Sequence, residues 1–526
     1  MQDFIEQKIN SANLKKFFSS KFKFYSEKKK FKNNILFVDR ERVDHFFHHS
    51  VLSLVLSEKY KMNTIILSDQ KQNSFIIRIY KKLGFNKFLS GYSFKKIFFH
   101  PQYLFLTCFY SLLAIINIKK IDFNWFVKNF NIHQIYIGDL IYDTYIRYEK
   151  RFIDPKIDKH FIKILFTCIF RFLIIKNYLI NNKIKILIVA TETGSRNHGL
   201  SLRIATKLKI KNLCFFRVNK YGASIISYQS DYFKKGIGVL SKKQLLNITK
   251  KVSNKKINFF YNLRKKLKSE NHYTQLDYLR ANKNNRKSAK FVNDLKKIKK
   301  RKILFASHAL ADAPHGAGNF VFRDYYEQFI QTLKFVYKND SKNLWIFKRH
   351  NNSRELDENK IFEENIKKFK KKNIIICPEN VSINDLIKNI DFVVTGRGTI
   401  GMEAASEGKK VVICGSAPYT DCGIVFNAKT KKQYFEFLLN LNELKFNKEE
   451  IKRLSRKLIY VIENSLHLKT VFTKECKKEK NLCNYFLGAT PGFSYFTYNI
   501  LFNNLISIFE NNIKNSIFYK KLKNFV

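Results

Sequence analysis

The sequence predicts an α/β protein with two doubly wound domains that face each other across a cleft. Short apolar runs alternate with helical stretches in two blocks, and a basic segment without Gly or Pro separates the blocks. The chain has 526 residues, which is too many for one ordinary domain. Continuous apolar runs bounded by turns are typical of parallel strands that are covered on both faces by helices.

The first block predicts a Rossmann-like domain over residues 1–239. Helical stretches at 43–60 and 197–208 follow two of its apolar runs. The predicted strands are Ile35–Asp39, Asn63–Leu67, Gln134–Gly138, Lys185–Ala190 and Asn212–Phe216.

The second block predicts another Rossmann-like domain over residues 302–470, after a linker of basic, solvated helices at 240–301. Residues 471–526 are expected to form a helical tail that closes on the first domain or docks on an anionic membrane. Helices are predicted at 322–337, 383–388 and 399–407. The strands of this block are Ile303–Ala306, Leu344–Phe347, Ile374–Cys377, Phe392–Thr395 and Val411–Cys414.

One apolar stretch, Ile97–Ile118, has nearly the length of a membrane span. Polar residues and a proline at 100–102 interrupt it, and the remaining run of about 15 residues is short for a bilayer. It predicts a buried or surface-docking helix rather than a span. The stretch Phe161–Ile180 carries three cationic residues and predicts an amphipathic helix.

Lys and Arg total 98 against 42 Asp and Glu, a formal net charge of +56. This charge suits a nucleic acid, an anionic membrane, or acidic glycan and nucleotide substrates, but the heavy use of Lys, Asn, Ile and Phe also fits an A+T-rich genome. Eight scattered cysteines without a CxxC pair predict free thiols in a reducing compartment. We therefore expect a cytoplasmic protein with peripheral contact at the inner membrane.

A glycine-rich turn joins a predicted strand to a predicted helix near residue 396. Gly396, Gly398 and Gly401 have G-x-G-x-x-G spacing, which lets the backbone approach a ligand while the helix amides attract phosphate. Arg397 and Thr399 can add donors to the same phosphates. A dinucleotide site would also need an acidic residue closing the next strand, and that strand ends Ile-Cys-Gly-Ser.

Glu403 lies in the first turn of the same predicted helix. Its carboxylate can accept hydrogen bonds from ribose or sugar hydroxyls, or it can simply complement the helix dipole. We favour the first role because the adjacent glycines already indicate a phosphate site.

The segment TGRGTIGMEAASEGKKVVICG, followed by APY, resembles the donor-binding half of bacterial capsule polysaccharide biosynthesis proteins. It is more distantly similar to nucleotide-sugar 2-epimerases and to capsule Kdo transferases. The resemblance implies a glycosyltransferase-B-like fold, is firmest over about residues 302–440, and is thinner over 30–220. The segment IYIGDLIYDTYIR at 135–147 also looks like a stretch in some surface-carbohydrate proteins. By resemblance, the residues that hold the nucleotide and its phosphates are Gly396, Arg397, Gly398, Thr399, Gly401 and Glu403.

Further polar groups follow other predicted strands of the second block. Lys348, Arg349 and His350 suit a phosphate leaving group, although a solvated basic turn is an equal alternative, and the K-P-H-P pattern of related proteins lacks both prolines here. His308 or His315 can donate to a β-phosphate or to an acceptor. No Cys or carboxylate cluster near them completes a metal site.

The acceptor hydroxyl needs a base, and the first block offers two carboxylates. Glu192 follows the strand KILIVA and Asp139 follows the run QIYIG, so either is placed to deprotonate a hydroxyl or to cap a helix. The chain has no D-x-D triplet, so we expect neither a metal nor another cofactor.

These observations predict a metal-independent glycosyltransferase that moves a sugar, of hexosyl or Kdo type, from a nucleotide sugar to a polysaccharide or lipid-linked glycan acceptor of the cell surface. A nucleotide-sugar 2-epimerase and a glycerol-phosphate-type polymer transferase remain alternatives with the same architecture. A basic nucleic-acid-binding protein is the alternative outside the enzymes. We disfavour it because the aromatic residues lie within apolar runs and no nucleic-acid-binding motif occurs.

Overall fold

The computed structural model describes residues 31–39, 61–68, 85–90, 101–147, 151–190, 196–219, 222–226, 239–269, 286–316, 318–350, 358–378, 381–462 and 467–468, with isolated positions between the first three ranges and at 236. The predicted helix at 43–60, Glu192 and the predicted tail at 471–526 lie wholly or mostly outside these residues.

The described elements alternate between strands and helices in both halves of the chain. In chain order they are β1 (Asn34–Val38), β2 (Asn63–Ser68), β3 (Lys87–Ser90), α1 (Pro101–Lys120), α2 (Phe123–Asn129), β4 (Asn131–Ile132), β5 (Ile135–Tyr136), α3 (Gly138–Arg147), α4 (Lys159–Asn181), β6 (Ile184–Ala190), α5 (Arg196–Lys207), β7 (Lys211–Asn219), β8 (Gly222–Ile226), α6 (Lys242–Ile248), α7 (Asn254–Ser269), α8 (Arg286–Lys297), β9 (Lys302–Ala306), α9 (Tyr325–Asn339), β10 (Leu344–Lys348), α10 (Asn359–Lys368), β11 (Ile374–Ile376), α11 (Ile383–Lys388), β12 (Phe392–Thr395), α12 (Ile400–Ser406), β13 (Lys410–Ile413), β14 (Phe426–Asn427), α13 (Lys431–Leu439), α14 (Lys448–Tyr460) and β15 (His467–Leu468).

Among the described residues, the strands form two large sheets, as the alternating blocks predict, and a two-stranded hairpin. The first sheet has the order β15-β8-β7-β6-β1-β2-β3, and its strands from β7 to β3 are parallel. The second has the order β11-β10-β9-β12-β13-β14 and is parallel throughout. The predicted class, α/β with two doubly wound Rossmann-like sheets, is confirmed.

One predicted strand is wrong. The run Gln134–Gly138 does not join the first sheet: β5 pairs only with β4 in a two-stranded hairpin, and Gly138 already begins α3. The apolar residues of this run are buried by packing between helices, which periodicity in a short run cannot distinguish from burial in a sheet. Asp139 consequently lies in the first turn of a helix rather than at the end of a central strand.

The predicted linker helices between the two blocks pack partly against the second domain. Leu245 of α6, Ile257 and Tyr261 of α7 and Leu295 of α8 are buried in the core of the second domain, where they share a cluster with Leu454 of α14. After α14 the chain returns to the first sheet, where β15 pairs with β8 in the antiparallel direction.

The two domains meet through a continuous buried cluster. Tyr142 and Tyr145 of α3 belong to the same cluster as Phe322 and Tyr325 of the second domain. The domain boundary is therefore packed beside α3, and the polar groups described below lie at this boundary.

Two helices, α1 and α4, are long and apolar enough to cross a membrane by length and composition alone. In α4, 56% of the most apolar window is buried inside the protein, as in a core helix. The corresponding share in α1 is 22%.

Candidate functional site at the domain boundary

The second sheet reverses its strand order between β9 and β12, which lie side by side. From β9 the chain moves outward to β10 and β11, and it then returns to β12 on the other side of β9. In open parallel sheets, such a switch point opens a crevice at the carboxyl ends of the strands. His308 follows β9 and the glycine turn follows β12, so the fold brings these two predicted groups together.

His308 lies against the glycine turn in a partly buried position. Its ring stacks on Tyr325 at a centroid distance of 4.2 Å and is parallel to the ring of His350 at 6.0 Å. A Cβ at Gly398 would lie 3.4 Å from Nε2 of His308. This Nε2 atom has no hydrogen-bond partner among the described residues.

The surroundings of His308 disfavour its charged form. Burial, followed by the nearby His350 and Arg397, lowers the pKa of His308 to about 3. A neutral imidazole at this position can donate one hydrogen bond to an anion without adding charge to the cationic side chains beside it.

Tyr419 contacts the glycine turn. The Tyr419 hydroxyl donates to the Gly398 carbonyl oxygen at 2.5 Å, and a Cβ at Gly401 would lie 2.6 Å from that hydroxyl. Gly401 is therefore required by the close approach of a tyrosine. Thr399 is exposed at the start of the short helix α12, and its side chain makes no capping hydrogen bond.

Arg397 points from the glycine turn towards the loop that follows β9. Its Nη1 donates to the carbonyl oxygen of Pro314 at 2.6 Å, next to His315. Glu358 fixes the same loop, because its carboxylate accepts from the amides of Leu310 and Ala311, both at 2.7 Å. The loop is thus held rigidly over the carboxyl ends of β9 and β12.

His315 is paired with Asp143, which α3 contributes from the first domain. Nδ1 of His315 and its backbone amide donate to the two carboxylate oxygens of Asp143, at 2.7 and 3.0 Å. Both side chains are buried. Burial alone would lower the pKa of His315, but the Asp143 carboxylate raises it above its ordinary value. Nε2 of His315 has no hydrogen-bond partner among the described residues.

Further polar contacts join α3 to the second domain. The Tyr142 hydroxyl donates to Asp324 at 2.5 Å, and Asp324 also caps α9 and accepts from Arg323 at 2.9 Å. At the edge of the boundary, Arg147 pairs with Asp312 at 3.0 Å. These contacts fix α3, and with it Asp143, against the loop that carries His315.

Several predicted site residues have protein partners away from this cluster. Arg349 pairs with Glu363 at 2.9 Å, and Lys348 is buried behind it. The two carboxylate oxygens of Asp139 accept hydrogen bonds from Nη1 and Nη2 of the buried Arg203, at 2.5 and 2.6 Å. An aspartate held in this way anchors the helix. The prediction that Asp139 acts as a base stays a prediction.

Glu403 faces a helix that sequence analysis assigned to the linker. Its carboxylate lies 3.2 Å from Arg264 of α7, with the two side chains 12% and 4% exposed. The predicted contact of Glu403 with the donor sugar stays a prediction.

Asp143 and Tyr325 are functional candidates that sequence analysis missed. The positions of both side chains depend on tertiary packing. Asp143 could have been found from the sequence, because Asp139 and Asp143 are four residues apart and share one face once the segment is recognised as a helix. Within the described ranges, no group of three or more His, Cys, Asp or Glu side chains is placed to hold a metal ion.

The two mainly parallel sheets and the polar cluster at their boundary define an α/β protein with two Rossmann-like domains. Residues 242–437 match the family model described as "Capsule polysaccharide biosynthesis protein". The resemblance predicted from the glycine turn is confirmed by this match, which also includes α6–α8. No curated protein matches the chain.

Solved structures that match this chain include a β-Kdo 2,4 transferase, KpsC of Thermosulfurimonas dismutans, at 11% identity and a TM-score of 0.32, covering 53% of this chain and 79% of that one. The UDP-GlcNAc 2-epimerase of Neisseria meningitidis, bound to UDP-GlcNAc, has 10% identity and a TM-score of 0.26, covering 85% and 99%. The UDP-GlcNAc 2-epimerase of Methanocaldococcus jannaschii, in complex with UDP-GlcNAc and UDP, has 13% identity and a TM-score of 0.26, covering 82% and 100%.

Proposed function

We propose that this protein is a metal-independent glycosyltransferase of capsule or related surface polysaccharide synthesis. It takes a nucleotide sugar as donor and a polysaccharide or lipid-linked glycan as acceptor, in the cytoplasm. The observation that carries the proposal is the cluster at the domain boundary, where the glycine turn and His308 of one domain lie beside a histidine oriented by Asp143 of the other. The family match over residues 242–437 supports the polysaccharide pathway.

The donor phosphates are assigned to the glycine turn. There Arg397 supplies a permanent positive charge, and Nε2 of the neutral His308 supplies a hydrogen bond beside Gly398. His350 and the exposed Thr399 lie next to the proposed phosphate position. These groups stabilise the negative charge that develops on the phosphate as the bond to the sugar breaks.

The acceptor hydroxyl is assigned to His315. Asp143 accepts the hydrogen bond from Nδ1, which leaves the Nε2 lone pair of a neutral imidazole free to take the hydroxyl proton as the acceptor oxygen bonds to the anomeric carbon. Because Asp143 raises the pKa of His315, the rate should increase with pH through a value above the ordinary 6.5 or so. Glu192, which follows β6, is the second candidate for the base.

The donor is identified by thermal unfolding of the full chain with UDP-, CMP-, GDP- and CDP-sugars. A ligand at 100 times its dissociation constant should stabilise the protein by about 2.7 kcal/mol. Gly398→Asp places a negative charge at the proposed phosphate position and should abolish this stabilisation. The proposal fails if no nucleotide sugar stabilises the wild type, or if Gly398→Asp responds as the wild type does.

The base is tested by nucleotide release with the best donor and a glycan acceptor. Asp143→Asn and His315→Gln should each lower kcat by about 100-fold or more, because both disable the same oriented imidazole. Asp154→Asn, at an exposed ion pair with Lys156, is the matched control and should leave kcat unchanged. If Glu192→Gln removes activity while His315→Gln does not, Glu192 is the base. Isomerised donor without any acceptor would identify a 2-epimerase instead.

A further inference from the structure

Helix α1 carries large apolar residues on its exposed side as well as on the side that packs against the protein. The residues that it buries against the protein are Thr107, Ser111, Ala114 and Ile118. The opposite side carries Phe105, Phe109, Leu112 and Ile116, which are 72%, 48%, 58% and 37% exposed. Both sets have the same spacing of four, three and four residues, so each forms one straight stripe along the helix.

This outward stripe is large and continuous. At 1.5 Å of rise per residue, the four side chains extend over about 16 Å, and the exposed Leu113 widens the patch. Scattered exposed apolar residues are normal on protein surfaces, but a contiguous row marks a surface that another apolar phase covers.

The charged residues near the stripe indicate what kind of apolar phase covers it. Neither α1 nor α4, on which α1 packs, contains an acidic residue, and α1 ends in the exposed Lys119 and Lys120. Lys163 and the apolar Ile162 are exposed at the start of α4. The exposed Asp122 follows Lys119 and Lys120, but the charged side chains of the two helices themselves are all cationic. An apolar row on such helices complements a bilayer surface with anionic headgroups.

We propose that the outward face of α1 docks on an anionic membrane surface, with the helix lying in the plane of the interface. The helix cannot both cross the bilayer and keep its buried stripe packed on the domain, so it inserts only its outer side chains. Helices α2 and α4 pack against both α1 and α3, and α3 carries Asp143. Docking therefore holds the half of the site that α3 provides close to lipid-borne molecules. The inference does not depend on the proposed sugar transfer.

The test is sedimentation of the full chain with vesicles of phosphatidylcholine alone, or with about a third of the lipid replaced by phosphatidylglycerol. We expect binding to the anionic vesicles only. The double variant Phe109→Ser/Leu112→Ser should lower the partition coefficient about tenfold or more. The matched double variant Phe259→Ser/Leu439→Ser replaces residues that are equally exposed, at 59% and 60%, on the second domain and should bind as the wild type does.

Two further measurements distinguish docking through this face of α1 from other causes of vesicle binding. Lys119→Gln and Lys120→Gln should each weaken binding about fivefold and reduce its dependence on salt. A polarity-sensitive fluorophore on the exposed Cys108 should shift to the blue when anionic vesicles are added, with labelled Cys108→Ser protein as the background.

Equal vesicle binding by both double variants would overturn the proposal. So would a loss of self-association in Phe109→Ser/Leu112→Ser at unchanged vesicle binding, because the stripe would then be covered by a second copy of the chain. Nucleotide-sugar stabilisation is measured in the same variants and should be retained, so failure of membrane docking and failure of the proposed catalysis give different results.

Discussion

At the scale of single residues, His308 and His315 lie on the same loop, and their surroundings shift their pKa values in opposite directions. Burial, with the nearby His350 and Arg397, disfavours the charged form of His308 and lowers its pKa to about 3. His315 faces the carboxylate of Asp143, so its pKa is raised despite burial. Titratable pairs whose surroundings separate their pKa values in this way are typical of acid–base sites.

The lowered pKa of His308 predicts a specific dependence of stability on pH. The unfolded chain binds the proton near pH 6.5 and the folded chain only near pH 3, so stability falls as the pH drops through this interval. In urea unfolding at pH 7 and pH 5, the wild type should lose more stability than His308→Gln, by on the order of 1–2 kcal/mol. Equal losses in the two proteins would show that His308 titrates normally.

The pair formed by Glu403 and Arg264 gives a second prediction at this scale. Glu403→Gln takes the carboxylate away from a buried guanidinium, and breaking such a pair costs about 3–5 kcal/mol. Lys265→Gln, which alters the more exposed pair with Glu407 on the same helix, is the control and should cost less than about 1 kcal/mol. If Glu403→Gln is instead stable but binds the nucleotide sugar at least tenfold more weakly, the predicted donor contact is correct.

At the scale of elements, α3 is a helix of the first domain that packs against the second domain. It begins at Gly138, whose amide donates to the Phe130 carbonyl oxygen at 3.1 Å, and it packs tightly on α2. A Cβ at Gly138 would lie 2.0 Å from the Phe126 carbonyl oxygen, so no other residue fits without a shift of α2 against α3.

Gly138→Ala should therefore act on both stability and activity. Overpacking of this kind costs about 1–3 kcal/mol, and the shift of α3 moves Asp143 away from His315. Gly398→Ala is the comparison for stability, because its Cβ would have no neighbour closer than 3.3 Å. Thermal unfolding of both variants checks the expectation, which is wrong if Gly138→Ala is as stable as Gly398→Ala.

At the scale of the whole molecule, the domain boundary is a packed interface with buried polar contacts. The hydroxyl of Tyr142 and the carboxylate of Asp324 meet there, inside the hydrophobic cluster that both domains share. The segment predicted as a linker is also part of the second domain, since α6, α7 and α8 contribute buried residues to its core.

A double-mutant cycle measures how strongly the domains are coupled. Tyr142→Phe, Asp324→Asn and the double variant should give a coupling energy of about 1.5–3 kcal/mol in unfolding, as expected for a buried hydrogen bond to a charged group. The matched cycle is Arg147→Gln with Asp312→Asn at the exposed edge, where we expect below about 1 kcal/mol. Coupling energies of similar size in the two cycles would contradict a packed boundary at Tyr142.

The sequence predicted the central strands of both sheets, because a strand covered on both faces leaves a continuous apolar run that is visible locally. It did not predict the outer strands β3, β8, β14 and β15. It failed at Gln134–Gly138, where the same pattern arises from packing among helices. It also located the glycine turn and His308, since both directly follow strands whose carboxyl ends must meet at one edge of a parallel sheet.

The hydrophobic pattern and the glycines by themselves determined that the chain forms two parallel α/β domains and where one of them has its glycine turn. Only the tertiary structure decided that Asp143 reaches His315, that Asp139 and Glu403 are held by arginines, and that α1 leaves one apolar stripe exposed. The physical reason is that periodicity records whether a side chain is buried, whereas its partner depends on how distant helices pack.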